Sequence, residues 1–235
     1  MSSPRRRSQS EPESPPSAKQ AITPRFGGTT LAELRAAIDR CRACPLWERA
    51  TQSVPGEGKP HARVMLVGEQ PGDQEDRAGR PFVGPAGKLL DAALEKAGVD
   101  RSEVFVTNVV KHFSWFPRGK RRMHKTPAQS EVAACLDWLE AEVLLVHPHV
   151  MVCVGATAAK ALLGRDFRVT VQRGRVLEGS MAPFVIATVH PSAILRIADP
   201  RERDEAFERF VADLAVIRTA LQTAAAVRSS RIQES

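Results

Sequence analysis

The sequence predicts an α/β fold of three layers, with helices on both faces of a central, mostly parallel four-stranded sheet. Four short apolar runs are typical of buried strands, and amphipathic segments of about ten to twenty residues separate them. Strands that alternate with helices pair in parallel through right-handed crossovers, which places helices on both faces. At 235 residues, 43% of them hydrophobic, the chain is long enough for one such domain.

The first half of the domain shows this alternation. Large apolar residues at helical spacing predict a helix around 30–40. The run at 63–67 predicts a strand, because it is short, continuous and followed by a Gly/Pro turn. Leucines at helical spacing then predict a helix at 85–97, and a β-branched run predicts the next strand at 104–110.

The second half continues the alternation after a long connection. Thr126 and Pro127 resemble a capped helix start, and this helix is predicted to end near residue 146. The remaining predicted elements are a strand at 149–154, a helix at 156–163, another strand within 168–178, a fourth core strand at 184–189 and an amphipathic helix at 201–222.

The two ends of the chain differ from the middle in composition. Residues 1–28 are rich in Ser, Pro, Arg and Glu, so we expect a disordered leader, a domain at 29–222 and a flexible tail at 223–235. The leader lacks the apolar segment of a secretory signal, and no apolar run reaches the roughly 18 residues of a membrane helix. We therefore expect a cytoplasmic protein that does not enter a membrane, with the monomer as its default state.

Polar or backbone groups follow four of the predicted strands at their carboxyl ends. These positions are Glu69, Asn108, Gly155 and His190. Because the carboxyl ends of parallel strands meet at one edge of a sheet, we expect these groups to line one ligand crevice. The turn after the first strand adds two further polar side chains, Gln70 and Asp73.

Some of these residues suit a planar base and a developing negative charge. Phe82 lies within 79–87, where three glycines and two prolines fix the backbone. An aromatic face beside an amide such as Asn108 suits a nucleobase, although a core aromatic and a turn asparagine are the alternatives. His190 begins a helical turn and could present its imidazole to developing negative charge, with a structural histidine as the alternative.

The connection at 112–125 is unusually long for a compact α/β domain, so we expect a flexible functional loop. Its end places Lys120, Arg121, Arg122 and His124 close together in the sequence. The whole chain carries a formal net charge of +7, which favours a polyanionic partner. Contact with a nucleic-acid backbone is at least as reasonable for this loop as a solvated run of charges.

The four cysteines indicate a metal site more than disulfides, because the expected compartment is reducing. Cys41 and Cys44 have the spacing of a ligand pair, and Cys135 and Cys153 lie further along the chain. Four thiolates can hold zinc or a 4Fe–4S cluster, whereas either late cysteine could instead be an ordinary core residue.

Taken together, these segments resemble the iron–sulfur branch of the uracil-DNA glycosylase superfamily over about residues 30–218. The matching motifs are Cys41-x-x-Cys44, Gly68-Glu69-x-Pro71-Gly72-x-x-Glu75-Asp76, Gly79-Arg80-Pro81-Phe82-Val83-Gly84, Thr107-Asn108-Val109-Val110-Lys111 and His190-Pro191-Ser192. The resemblance implies a DNA glycosylase that acts on uracil-containing DNA, here expected to be single-stranded.

The resemblance also implies roles for the residues of the crevice. Phe82 would stack on a flipped-out uracil, and Asn108 would read its polar edge. His190 would stabilise the departing uracil anion, while Glu69 would lie near the sugar. Two further side chains, Gln70 and Asp73, would shape the pocket. The ligands of a 4Fe–4S cluster that braces the fold would be Cys41, Cys44, Cys135 and Cys153.

Two details resemble UdgX, a group within this branch whose members become covalently attached to the abasic site. Gln70 replaces a small residue of the other iron–sulfur glycosylases, and residues 120–124 resemble the characteristic loop of UdgX, with Met123 in place of Ile. The resemblance implies that His124 bonds to C1′ of the deoxyribose. In the same loop, Lys120, Arg121 and Arg122 are expected to contact the DNA.

Three alternatives stay open at this point. The first is a conventional glycosylase that turns over with water as its nucleophile. The second is a non-catalytic iron–sulfur protein that only binds DNA, and the third is a zinc-braced nucleotide-binding domain.

Overall fold

We describe the structure from a computed structural model, which covers residues 26–233, with side chains to residue 226. Its strands are β1 (Val64–Gly68), β2 (Val104–Asn108), β3 (Trp115–Arg118), β4 (Arg121–His124), β5 (Val150–Val154), β6 (Val176–Glu178) and β7 (Phe184–Thr188). Its α-helices are α1 (Leu31–Asp39), α2 (Asp73–Ala78), α3 (Pro85–Lys96), α4 (Gln129–Val146), α5 (Ala156–Leu163), α6 (Val169–Gln172), α7 (Pro191–Leu195) and α8 (Pro200–Gln233). Short 3₁₀ turns lie at Pro45–Glu48 and Arg101–Glu103.

The central sheet has the strand order β2-β1-β5-β7-β6. The first four strands of this order are parallel, and β6 pairs antiparallel with β7 at the edge. The predicted α/β sheet is thus confirmed, but it has five strands rather than four. The extra strand falls within the segment predicted as a strand at 168–178, where α6 forms first and only three partly exposed residues reach the sheet.

Helices cover both faces of the sheet and bury every residue of the parallel strands except Phe184, which is partly buried. Met65 and Val67 of β1 lie in one apolar core with α4 and α5. Val64 and Leu66 lie in a second core with α3 and α8. Successive side chains of a strand point to opposite faces, so a strand between two cores must be apolar at every position. The predicted three-layer architecture is therefore present.

The sheet contains a topological switch point between β1 and β5. The chain passes from β1 to β2 on one side, and then crosses to β5 on the other side of β1. The segments that follow β1 and β5 therefore diverge, and open α/β sheets bind ligands in the crevice that this divergence creates.

The connection predicted as a flexible loop contains an antiparallel β-hairpin formed by β3 and β4. Trp115 pairs with His124, and Arg118 pairs with Arg121. Gly119 occupies the tight turn at a φ of 58°, which a glycine adopts without steric cost. The cationic segment is thus a regular element with a fixed direction.

The ends of the chain bear on the predicted domain limits. The predicted leader at 1–28 lies almost wholly outside the described residues. The last helix continues to Gln233, so its predicted end at residue 222 is too early, and the predicted tail at 223–235 begins as helix. Within the described residues, no helix combines the length and the apolar character needed to cross a membrane.

Candidate active site

A cavity of about 690 Å³ opens at the carboxyl ends of the parallel strands. Three of the four predicted strand-end residues, Glu69, Asn108 and His190, line it together. The fourth, Gly155, supports His190, since a Cβ atom at Gly155 would lie 3.1 Å from that of His190. The described residues that line the cavity are Glu69, Gln70, Gly72, Asp73, Gln74, Glu75, Phe82, Pro85, Ala86, Asn108, Met123, His124, His190, Ser192, Leu195 and Arg196.

Two glycines allow the aromatic ring and the amide to approach each other. A Cβ atom at Gly68 would lie 2.3 Å from Asn108 Oδ1 and 2.9 Å from Phe82 Cζ, closer than side chains tolerate. Gly87 lies so close to the Phe82 carbonyl that its Cβ atom would be 1.6 Å from the oxygen. Phe82 itself has a φ of 56°, a strained value for a bulky residue that is typical of functional positions.

His190 is held as a neutral hydrogen-bond donor. Its Nδ1 accepts a hydrogen bond from the Ser192 backbone N–H at 3.2 Å, so the single proton of the neutral ring lies on Nε2. Burial lowers the pKa of His190 to about 4, and repulsion from His124, when that ring is protonated, and from Arg196 lowers it further. The ring centroid lies 6.4 Å from that of Phe82, and the two planes are inclined by 26°.

Glu69 and His124 face each other in the cavity. Glu69 Oε2 accepts a hydrogen bond from the Thr157 hydroxyl. Glu69 Oε1 is buried and accepts no hydrogen bond from the described residues, although His124 Nε2 lies 3.3 Å away. Burial lowers the pKa of His124, the Glu69 carboxylate opposes this effect, and Arg196 reinforces it. The His124 side chain is half exposed at 50%, so a ligand can reach the ring.

Gln70 holds the hairpin at both of its ends. Its side-chain amide donates to the carbonyl oxygens of Ser114 and Lys125, at 3.1 and 3.0 Å. Its side-chain oxygen accepts from the Ser114 N–H at 2.9 Å. Gln70 is 6% exposed and lies at the cavity wall, so its direct contacts are with the hairpin.

Arg122 anchors the hairpin to α2 and does not face solvent. Its guanidinium donates to Asp73 and Asp76, and its side chain is only 14% exposed. It also lies 5.4 Å and 5.5 Å from the ring centroids of Phe113 and Trp115. The Arg122 guanidinium is therefore already paired with carboxylates inside the protein, and its predicted contact with DNA stays a prediction. Asp73 lines the cavity as predicted, but its carboxylate is engaged by this arginine.

The other two cations predicted to contact DNA, Lys120 and Arg121, are exposed at the tip of the hairpin. Neither makes an ion pair with another described residue, so both are free to meet phosphate groups. Their predicted role stays a prediction.

Three of the four cysteines interact with one another. Burial raises the pKa of Cys135 to about 12; Lys111 opposes this effect, and the thiolates of Cys44 and Cys41 reinforce it. Cys153 lies in β5, in the same apolar core as Cys135, and burial raises its pKa to about 12 as well. Among the described residues no three His, Cys, Asp or Glu side chains stand together in a geometry that could already hold a metal ion.

Comparison with known proteins identifies the family. The model of the uracil DNA glycosylase superfamily matches residues 55–215. The Type-4 uracil-DNA glycosylase of Pyrobaculum aerophilum is 39% identical over 173 residues, which cover 71% of this chain and 85% of that protein. The Type-4 enzymes of Thermotoga maritima and Archaeoglobus fulgidus are 39% and 35% identical, over 68% and 79% of this chain and 80% and 93% of theirs.

The chain belongs to the uracil-DNA glycosylase superfamily. This confirms the predicted fold family and the predicted class of enzyme, a DNA glycosylase. The matched segment contains Glu69, Phe82, Asn108, His124 and His190, so the cavity described above lies within the part that the family shares.

Several residues of this glycosylase site are not among those predicted. Thr157 binds Glu69 from the first turn of α5, and its position two residues after the strand-end Gly155 is the only signal that could have indicated it. Arg196 donates to the Ser192 hydroxyl at 2.8 Å and lines the cavity. Its position one helical turn after Ser192 is visible in the sequence, but its direction towards the cavity depends on the packing of α7.

Proposed function

We propose that the protein excises uracil from DNA, and that His124 then forms a covalent bond to C1′ of the abasic site. The observation that carries this proposal is the position of His124 Nε2, 3.3 Å from Glu69 Oε1 in the glycosylase cavity. A reactive nitrogen beside the carboxylate expected at the sugar is well placed to capture the sugar cation.

The cavity offers the contacts that a flipped-out uracil requires. The Phe82 ring provides an aromatic face, and the Asn108 amide lies beside it, because Gly68 leaves room for both. An amide can donate to one polar atom of the uracil edge and accept from another, which distinguishes uracil from cytosine. Aromatic stacking and edge hydrogen bonds together are the usual means of holding an extruded base.

The charges of the site match those of the reaction. When the bond between C1′ and the base breaks, the electron pair leaves with uracil, and positive charge develops on the sugar. His190 can donate its Nε2 proton in a hydrogen bond to the uracil anion, because Ser192 holds the opposite nitrogen as an acceptor. The Glu69 carboxylate lies on the other side of the cavity and would stabilise the sugar cation.

His124 then competes with water for the cation. The lone pair of Nε2 forms the bond to C1′, and the resulting imidazolium releases its Nδ1 proton to solvent. The Glu69 carboxylate beside Nε2 stabilises the positive charge that the ring carries before this proton leaves. A nucleophile held within contact distance reacts as if its concentration were far above that of free water. Gln70 and Arg122 support this step, because they fix the hairpin that carries the ring.

One observation favours conventional turnover as the second candidate. The buried Glu69 Oε1 accepts no hydrogen bond from the described residues, and such an oxygen can hold a water molecule that attacks C1′. In that case the exposed His124 would only flank the cavity, and the abasic DNA would be released.

We also propose that the four cysteines hold a 4Fe–4S cluster that braces the fold. Two N–H groups already point at sulfur atoms: Trp138 Nε1 donates to Cys41 Sγ at 3.2 Å, and the Lys111 backbone N–H donates to Cys135 Sγ at 3.3 Å. N–H donors stabilise the thiolate form that ligates iron.

A denaturing gel with uracil-containing single-stranded DNA tests the main proposal. We expect a band shifted by the mass of the protein that resists heat and detergent. His124→Ala is expected to lose this band and to leave alkali-labile abasic DNA instead. His61→Asn serves as the control, because this histidine is exposed and lies outside the cavity.

The other outcomes assign the alternatives. Alkali-labile DNA without a shifted band in the wild type supports turnover with water. Uracil that stays intact in the DNA refutes excision altogether. An undiminished shifted band with His124→Ala refutes the assignment of the nucleophile, and mass spectrometry of the digested adduct would then identify the attached residue.

A further inference from the structure

The hairpin that carries His124 has two faces of opposite character. Residues directly opposite each other in an antiparallel pair share a face, and successive residues alternate. The register pairs Trp115 with His124 and Pro117 with Arg122 on one face. On the other face it places two cross-strand pairs, Phe116 with Met123 and Arg118 with Arg121.

The face of Trp115 and Arg122 is attached to the body of the protein. Arg122 donates to Asp73 and Asp76, and Trp115 Nε1 donates to the Arg49 carbonyl at 2.9 Å. These bonds fix the orientation of the hairpin, so the opposite face must point away from the protein body.

The outward face presents an aromatic ring between a thioether and two guanidinium groups. Phe116 is 45% exposed, so its ring is accessible to a ligand. Arg118 and Arg121 are exposed and make no ion pair with another described residue. Met123 lines the active-site cavity, so this apolar strip continues to its mouth.

We propose that this outward face binds the nucleotide next to the excised uracil when that nucleotide is unpaired. Its base stacks on Phe116 and contacts Met123, while Arg118 and Arg121 bind the adjoining phosphates. This proposal rests on the proposed excision of uracil from DNA. Charge complementarity supports a polyanion as the occupant, and the aromatic ring distinguishes a nucleic acid with accessible bases from other polyanions.

The same geometry implies a preference for single-stranded DNA. Stacking on an exposed aromatic ring is favourable for any base, but the base must first leave its own stack. A flanking base in a duplex is paired and stacked, so its movement onto Phe116 has an additional unstacking cost. In a single strand this cost is small, and the contact contributes in full.

The test compares single-turnover excision on single-stranded and duplex DNA that carry the same uracil. Phe116→Ala is expected to raise the half-saturating protein concentration about tenfold on the single strand and less than about twofold on the duplex. The rate at saturation should not change, because Phe116 does not line the cavity. Phe116→Trp is expected to keep the wild-type value, and Leu144→Ala, an equally exposed apolar residue on α4, is the matched control.

A modified substrate locates the contact. Removal of the base on one side of uracil, with an abasic spacer in its place, is expected to abolish the difference between wild type and Phe116→Ala. Arg118→Gln and Arg121→Gln are each expected to lower the salt dependence of binding by about the contribution of one phosphate.

Equal effects of Phe116→Ala on both DNA forms, or none on either, would overturn this proposal while excision by the wild type persists. If the wild type itself leaves uracil in place, the proposed function has failed instead. The two failures are therefore distinguishable in one set of reactions.

Discussion

Replacement of Gly87 by alanine tests whether the backbone frame of Phe82 controls catalysis. Gly87 lies in the first turn of α3, and a Cβ atom there would be 1.6 Å from the Phe82 oxygen and 2.3 Å from its carbonyl carbon. Real Cβ atoms do not approach other atoms closer than 3.0 Å. The Phe82 carbonyl must therefore move by about 1.4 Å or more.

This movement has to displace the aromatic ring, because Phe82 has little freedom to absorb it. Its φ of 56° is already strained, so a local rotation cannot relieve the clash cheaply. A misplacement of about 1 Å in a catalytic site can lower a rate about a hundredfold. We expect Gly87→Ala to reduce the single-turnover rate of uracil excision by about that factor.

The assay is excision from uracil-containing DNA with protein in excess, followed by alkaline cleavage of the abasic product. Gly27→Ala is the control, because no atom lies within 4 Å of a Cβ atom at Gly27. Helix propensity alone would make Gly87→Ala stabilising by about 1 kcal/mol. A stabilised protein with excision within about threefold of the wild type would therefore refute the reasoning, because the frame would have relaxed without moving the ring.

Three further outcomes test the support of the site. Lys111→Met is expected to lower the free energy of unfolding by about 3–5 kcal/mol, because the Glu142 carboxylate, which is 1% exposed, loses the cation 2.7 Å away. Denaturant unfolding measures this loss. If adding Glu142→Gln to Lys111→Met does not restore part of the lost stability, the reasoning is contradicted. His190 is expected to titrate near pH 4 in NMR spectra with its neutral proton on Nε2. Because this pKa is lower in the folded state, the stability contributed by His190 is complete above about pH 6.5 and is lost as the pH falls through about 4, and a titration near 6.5 would contradict the burial argument. Cys135→Ser is expected to lose bound iron and visible absorbance in the purified protein, and an unchanged iron content would remove Cys135 from the ligand set.

The strand ends of the site could be predicted from the sequence because they depend on local patterns. Glu69, Asn108 and His190 each follow a short apolar run, and parallel pairing alone brings such positions to one edge of the sheet. No precise packing is needed for this inference. The edge strand β6 lacks such a run, and the strand predicted within 168–178 therefore also took in the residues of α6.

The hairpin could not be predicted, because its anchors come from distant parts of the chain. Arg122 binds Asp73 across 49 positions, and the Gln70 amide reaches Lys125 across 55. A run of cations looks the same in the sequence whether its members face DNA or a carboxylate. The left-handed backbone conformation of Phe82 could not be predicted either, because it depends on how closely Gly87 packs against the Phe82 carbonyl.

The charge pattern of the cavity is consistent with different proposed roles for its two histidines. Arg196 lies near both rings and lowers the pKa of each, and His124 lowers that of His190 further. Both imidazoles are therefore kept neutral, which a nucleophile requires and which leaves His190 with a single directed proton. Among the described residues Glu69 makes no ion pair with a lysine or an arginine, so its negative charge is available to a sugar on which positive charge develops. In the proposed reaction His190 and Glu69 act in excision itself. Whether a covalent adduct or turnover follows would then depend on whether the hairpin keeps His124 at Glu69 when the sugar arrives.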